Sequence, residues 1–232
     1  MSVLHELGGL TLIFGRSVRR LFGMSGHEWI RATALQGHGS LWGVMVVGMA
    51  TGCVIVLETA AYTAKFGARD IMGGQAGISI IREFGPLMVA LLQAGWAGAR
   101  TAAEVGNLTL GGQFLSLRGL GVEMDGLVSA PRLWGALAAQ LMLGLWGQLW
   151  ATLGGAVAGF ALMDVPLGTF LRSFGGTIHP DDIAEGLLKV LVFGLATSLL
   201  SLRAGLTAQG GAQAVGRQVA TSVVRSVAVI LL

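Results

Sequence analysis

ATALQGHGSLWGVMVVGMATGCVIVL, Ala32 to Leu57, is a run of 26 residues without a formal charge, and from Leu41 onward it is almost wholly apolar. A helix needs about 20 mostly apolar residues to cross roughly 30 Å of hydrocarbon. The run is long enough, so it reads as a membrane span. The composition around it agrees. Of 232 residues, 53% are hydrophobic and only 12% charged, against roughly 25% charged in ordinary globular chains. Mean hydropathy is +0.73. The 38 glycines suit membrane helices, where small residues let backbones approach closely; a disordered linker would be polar instead.

Four further runs fall into place by the same length argument. Phe84–Ala99, between Glu83 and Arg100, is slightly short, so Arg100 is expected within the last turns, reaching toward the interface or a protein cavity. Leu133–Met163 lies between Arg132 and Asp164 and makes one tilted helix, because two crossings would each be too short. Val190–Leu202 is extended back to about Asp182, with Glu185 and Lys189 paired i,i+4 on its first turns. Val219–Leu232 is interrupted by Arg225. Before the first span, Leu4, Leu7, Phe14, Val18, Leu21 and Phe22 recur at near-helical spacing beside Arg16, Arg19 and Arg20. That pattern predicts an amphipathic helix lying on the membrane surface. The expected fold is therefore an all-α integral membrane protein with about five transmembrane helices, divided into an interfacial region, 1–31, and a transmembrane domain, 32–232. With the amino terminus in the cytoplasm, nine Lys and Arg fall inside and five outside, which supports that orientation.

Several chemistries are excluded. The net charge of +3 comes with no basic run or aromatic platform, so nucleic acid is not the partner expected. Lys65 and Lys189 follow Ala64 and Leu188, which rules out a P-loop. His5, His27, His38 and His179 are scattered, and the single cysteine, Cys53, lies in an apolar run; no zinc site can be assembled from them. No serine sits in a GxSxG elbow. The informative groups are the charges beside the spans: Glu58, and above all Arg100 and Glu104, which share a helix face. Ionisable residues at membrane depth usually face a cavity or a partner, although an interfacial ion pair ending a helix fits this spacing equally. Gly48-x-x-x-Gly52 and Gly155-x-x-x-Gly159 are expected to allow close helix crossings. The segment NLTLGGQFLSLRGLGVEM, Asn107 to Met124, is unusually apolar for a connection on the inner side. It is either tucked against the bilayer or docked into another protein.

The sequence from Ile81 to Trp134 resembles the MlaE (YrbE) family of ABC-transporter permeases. The resemblance rests on an R-E-F-G-P opening at Arg82–Pro86, a small-residue A-G-x-x-G helix at Ala94–Gly98, an A-E-x-G turn at Ala103–Gly106, Gln113 among apolar neighbours, and A-P-R-L-W at Ala130–Trp134. It continues more loosely through Lys189–Gly205. It implies a permease subunit of the bacterial inner membrane that moves phospholipids between the inner and outer membranes. The chain itself would hold no cofactor. Further implications are a homodimer, a cytoplasmic ABC ATPase that binds ATP and Mg, an MCE-domain protein on the far side, and often a STAS-domain protein beside the ATPase. Leu110, Gln113, Phe114, Leu115, Leu117 and Arg118 would form the segment coupled to the ATPase. Glu58, Trp96, Arg100 and Glu104 would face the lipid cavity between two copies. Two departures from the family pattern stand out. Trp96 occupies a position where many relatives carry Arg, which turns attention to Arg100 one turn on. Gly112 replaces the Glu usual before the Gln. A lipid-modifying membrane enzyme and a passive scaffold are the rival classes; the first needs a convergent catalytic set, and the second needs no intramembrane charge.

Overall fold

The computed structural model describes residues 3–21, 23–65, 67, 69–119 and 124–232. Among these residues there is no strand. Helices α1 (Val3–Leu21), α2 (Gly26–Gly37) and α3 (Leu41–Lys65) are followed by α4 (Met72–Ile78) and α5 (Gly85–Gln93), joined by a π turn at Ser79–Phe84. A second π turn, Ala94–Gly98, leads into α6 (Ala99–Leu110). Then come α7 (Gln113–Gly119), α8 (Met124–Met163), α9 (Leu167–Thr177), α10 (Pro180–Leu206) and α11 (Ala212–Leu231). Among the described residues, five helical stretches are long and apolar enough to cross a membrane: Gly26–Thr63, Met72–Leu110, Gly126–Met163, Pro180–Leu206 and Ala212–Leu231. The expected number and order of spans hold, and each helix begins before the apolar run that announced it. The 40 residues of α8 make a rod about 60 Å long at 1.5 Å per residue, so it carries charged Arg132 well before its apolar centre.

The polarity is that of a protein in lipid. Trp42, Val46 and Val54 on α3, Met142, Leu149 and Phe160 on α8, and Val224 on α11 are exposed. Gln36, Gln93, Thr101, Gln140, Gln148 and Ser201 are buried.

The helices group into two compact units. One comprises Leu41–Val89 and Leu141–Leu191. Within it the glycine motifs of α3 and α8 face each other: a Cβ on Gly48 would lie 2.9 Å from the Gly147 carbonyl oxygen, and one on Gly154 would lie 2.7 Å from Met49 Cα. The core there includes Ile55, Val56, Met72, Ile80, Ala156 and Phe170. Helix α9, which lies between the apolar runs read as spans, packs on α4: the Gly74 N–H donates to Ser173 Oγ at 3.0 Å. Asp164, at φ 54°, turns the chain out of α8 in a left-handed conformation that Asp tolerates.

Pro86 lies just beyond the π turn at Ser79–Phe84, in which the Gly85 N–H donates to the Ile80 carbonyl. A proline has no N–H, so neither the carbonyl four residues back, Arg82, nor the one five back, Ile81, receives a backbone donor from it. Side chains supply both: Gln148 Nε2 donates to the Ile81 oxygen at 3.2 Å and Lys189 Nζ to the Arg82 oxygen at 3.0 Å. Lys189 also pairs with Glu83 at 2.6 Å and with Glu185 at 3.3 Å, the i,i+4 partner anticipated. Arg82 bridges Asp182 and Glu185.

The other unit comprises Met1–Ser40, Ala90–Gln140 and Val192–Leu232. Its core holds Ile13, Val105, Phe114, Val128, Leu133 and Leu202. The anticipated amphipathic α1 is docked here by more than grease: buried Ser17 donates to Ser129 Oγ at 3.0 Å, and Trp134 Nε1 donates to the Ser17 carbonyl at 3.0 Å. Helix α2 starts at a capping box formed by Ser25 and Glu28. Helices α6 and α11 approach through Gly106, where a Cβ would stand 3.0 Å from Val215.

Candidate functional site

Helix α6 carries Arg100 and Glu104 one turn apart, and Arg100 Nε donates to Glu104 Oε1 at 2.7 Å. Glu104 is shared. Arg132 of α8 reaches its other oxygen, Nη2 to Oε2, at 3.4 Å, and donates through Nη1 to the Val128 carbonyl at 3.1 Å. Arg100 Nη1 in turn donates to the Leu35 carbonyl of α2 at 3.2 Å. Two guanidiniums therefore surround one carboxylate, leaving a surplus of one positive charge. They line a cleft of about 120 Å³ together with Ala32, Leu35, Gln36 and Pro131. The Arg100 and Glu104 side chains are 46% and 41% exposed, and that of Arg132 only 24%. The cluster is therefore half in the protein and half open. Such an arrangement can take an anion by charge-assisted hydrogen bonds.

Trp96 sits in the second π turn, 54% exposed. Its ring lies so close to Gly39 that a Cβ there would be 2.7 Å from Nε1. Trp96 and Arg100 thus both reach residues 35–39, in keeping with one shared helix face. In the sequence Arg132 bounds a span and belongs to the A-P-R-L-W motif, and neither it nor Gln36 stands out as a cleft residue. The Ala-Pro-Arg of Ala130–Arg132 gave one available signal, an arginine beside a proline within a helix that must stay apolar. Glu58 belongs to the other unit and is exposed on α3.

The apolar connection after α6 is more ordered than a loop. Helix α6 continues through Leu110, Gly111 N–H donates to the Asn107 carbonyl at 2.9 Å, and Gly112 turns at φ 69°. Only glycine takes that angle freely. Helix α7 then begins, with the Ser116 N–H donating to the Gly112 carbonyl at 3.0 Å. Phe114 is turned inward, 9% exposed in the core with Leu108, so part of the segment's grease is satisfied within the chain. Leu110, Gln113 and Ser116 are exposed. The side chains of Leu115, Leu117 and Arg118 lie outside the described residues. Among the described residues no three His, Cys, Asp or Glu gather into a group able to hold a metal.

The family profile described as Permease MlaE matches residues 29–232, nearly all of the chain. The chain belongs to the MlaE permease family. Among its relatives, a probable ABC transporter permease protein of Rickettsia prowazekii (strain Madrid E) is 30% identical over 88% of this chain and 78% of its own length. The protein named intermembrane phospholipid transport system permease protein MlaE, of Haemophilus influenzae (strain ATCC 51907 / DSM 11121 / KW20 / Rd), is 29% identical over 79% of this chain and 72% of its own. The chloroplastic protein trigalactosyldiacylglycerol 1 of Arabidopsis thaliana is 26% identical over 82% and 54%. The MlaE match starts within α2, and the cleft residues Leu35, Gln36, Arg100, Glu104 and Arg132 all lie inside it.

Proposed function

We propose that this MlaE-family chain is the membrane subunit of an ABC-type transporter that moves phospholipids between the inner and outer membranes, with its amino terminus in the cytoplasm. ATP and Mg belong to a separate ATPase. Two copies of the chain enclose the lipid, an MCE-domain protein receives or delivers it on the far side, and a STAS-domain protein accompanies the ATPase. The chain works as a transport subunit and not as an enzyme.

The observation that carries this reading is the cationic cleft on apolar helices. Arg100 and Arg132 hold one carboxylate between them and retain a net positive charge for a phosphate headgroup, while the exposed apolar faces accept acyl tails by dispersion and exclusion from water. Trp96, on the same helix face as Arg100, contributes to this cleft, and Glu58 is a second polar group offered to lipid in the assembled dimer. Helix α7 is the coupling segment, presented to the ATPase by Leu110, Gln113, Leu115, Leu117 and Arg118, with Phe114 as the anchor that fixes it to the chain's own core. Movement of α7 is passed to α6, which carries Arg100 and Glu104, so nucleotide state alters the cleft. Transport then requires that the two states hold lipid with different affinity.

The test is lipid retention. Arg100→Ala in the purified complex is expected to lower phospholipid recovered per protomer, read by mass spectrometry, and to slow transport between vesicles. Unchanged retention and transport would remove the headgroup role. Cysteines at Gln113 and Ser116, both exposed, are expected to crosslink to the ATPase in intact cells; failure of both would remove the coupling role.

A further inference from the structure

Next to the cationic cleft, within the same unit, lies a small chamber whose wall includes Gln36, Gln93, Thr101, Arg132, Gln140 and Thr197. Gln93 is 4% exposed and Gln140 3%. Much of the wall is internally paired: Gln36 Nε2 donates to Thr101 Oγ1 at 3.1 Å, and Thr197 Oγ1 to the Gly194 carbonyl at 3.1 Å. Three wall atoms are buried without a partner in the protein: Gln93 Oε1, Gln140 Nε2 and Arg132 Nε. They are three of the five such atoms among the described residues, and all three belong to residues of this one chamber. They comprise one acceptor and two donors. The void beside them measures about 10 Å³, close to the least that admits a single water. Small residues keep it open. A Cβ on Gly98 would stand 2.8 Å from Ser201 Oγ, and one on Gly194 would stand 3.0 Å from Gln140 Cγ.

We infer that this chamber is a binding site for one ordered water molecule, which donates to Gln93 Oε1 and accepts from Gln140 Nε2 and Arg132 Nε. Three hydrogen bonds are the usual complement of a buried water, and no bulk solvent at membrane depth can satisfy these groups instead. The water also acts on the cleft. Arg132 has its Nη1 on the Val128 carbonyl and its Nη2 on Glu104; a water on Nε fixes the remaining edge of the guanidinium and so the plane in which it meets Glu104. Arg132 is thereby a positioned group, held from inside the protein whatever anion the cleft receives.

A structure of the purified complex at a resolution that shows ordered water is expected to contain density within hydrogen-bond distance of all three atoms. Two substitutions at Ala136, another wall residue, give an independent reading. Ala136→Ser places a hydroxyl where it can stand in for the water, whereas Ala136→Val fills the space with methyl groups and strands the three polar atoms. The valine variant is expected to melt lower than the serine variant by roughly 2–4 °C or more. The proposal falls if the chamber shows no density because the Gln93 and Gln140 amides pair directly, or if Ala136→Val melts no lower than Ala136→Ser.

Discussion

Gly52→Ala sets one added methyl group against the tightest point of the crossing between α3 and α8. The new Cβ would stand 2.6 Å from the Ala151 carbonyl carbon and 2.9 Å from its Cα, where carbon atoms pack comfortably at about 3.5–4.0 Å. The obstacle is backbone, so no side chain can swing aside. The Ala151 carbonyl oxygen is nearer still, so the helices must separate by at least about 1 Å, and a gap of that size already forfeits roughly a quarter to a half of each dispersion contact along the seam. The contacts at stake are those of Cys53, Val56, Ala151 and Ala156 in the core of that unit, together with the Cys53 Sγ bond to the Gly154 carbonyl at 3.1 Å. Overpacking of this kind costs about 1–3 kcal/mol, which at about 2–4 °C per kcal/mol lowers the melting temperature by roughly 2–12 °C. Gly43→Ala is the matched control. It lies on the same helix with nothing within 4 Å of a Cβ, and in a helix interior alanine is favoured over glycine by about 0.8–1.0 kcal/mol. The same chemical change is thus expected to destabilise at one position and stabilise at the other. Both variants are measured as purified full chains by the thermal shift of tryptophan fluorescence. Gly52→Ala melting at or above Gly43→Ala would refute the crossing, and with it the reading of these glycines as contacts within one chain.

Glu104→Gln keeps the shape of the cleft but removes the anion between Arg100 and Arg132. Retention of anionic phospholipid by the purified complex is expected to rise several-fold, as read by mass spectrometry, and a fall would show that Glu104 itself holds the headgroup. Gly112→Ala forces a Cβ onto a residue at φ 69°, a strain of about 1–2 kcal/mol placed at the joint of α6 and α7; co-purification of the ATPase is expected to weaken while lipid retention by the membrane subunit persists. Gln148→Leu withdraws the donor that serves the Ile81 carbonyl behind Pro86 and leaves that oxygen buried, at a cost of about 1–3 kcal/mol. Its melting temperature is expected to fall, and an unchanged value would mean that the π turn finds another donor.

What could be read in the sequence was whatever depends on length and charge alone. Thirty-one uncharged residues from Leu133 to Met163 had to be one helix, and the spacing of Arg100 and Glu104 had to put them on one face. Helix α9 was legible in principle, since Leu167, Phe170, Leu171 and Phe174 follow the i, i+3, i+4, i+7 pattern, but eleven residues are too few to register as a span. Arg132 carries a signal of its own, but its partner could not be read, because the contact with Glu104 depends on how α8 meets α6, and no local periodicity encodes that. The inward turn of Phe114 was hidden for the same reason: an apolar residue in an apolar connection looks alike whether its partner is its own core, the bilayer or another protein. The π turn at Ser79–Phe84 shows how far the two kinds of information can meet. Pro86 announces that the carbonyl four residues back, Arg82, will lack its helical donor, the π register that draws the Gly85 N–H to Ile80 adds Ile81, and burial in an apolar medium requires that each be served. The sequence therefore contains the demand, whereas the donors, Gln148 and Lys189, come from helices more than sixty residues further along. The only polar residues in long apolar stretches are thus natural candidates to answer such a demand. Gln148 is a case in point, an amide buried to 6% exposure in a helix that otherwise favours lipid.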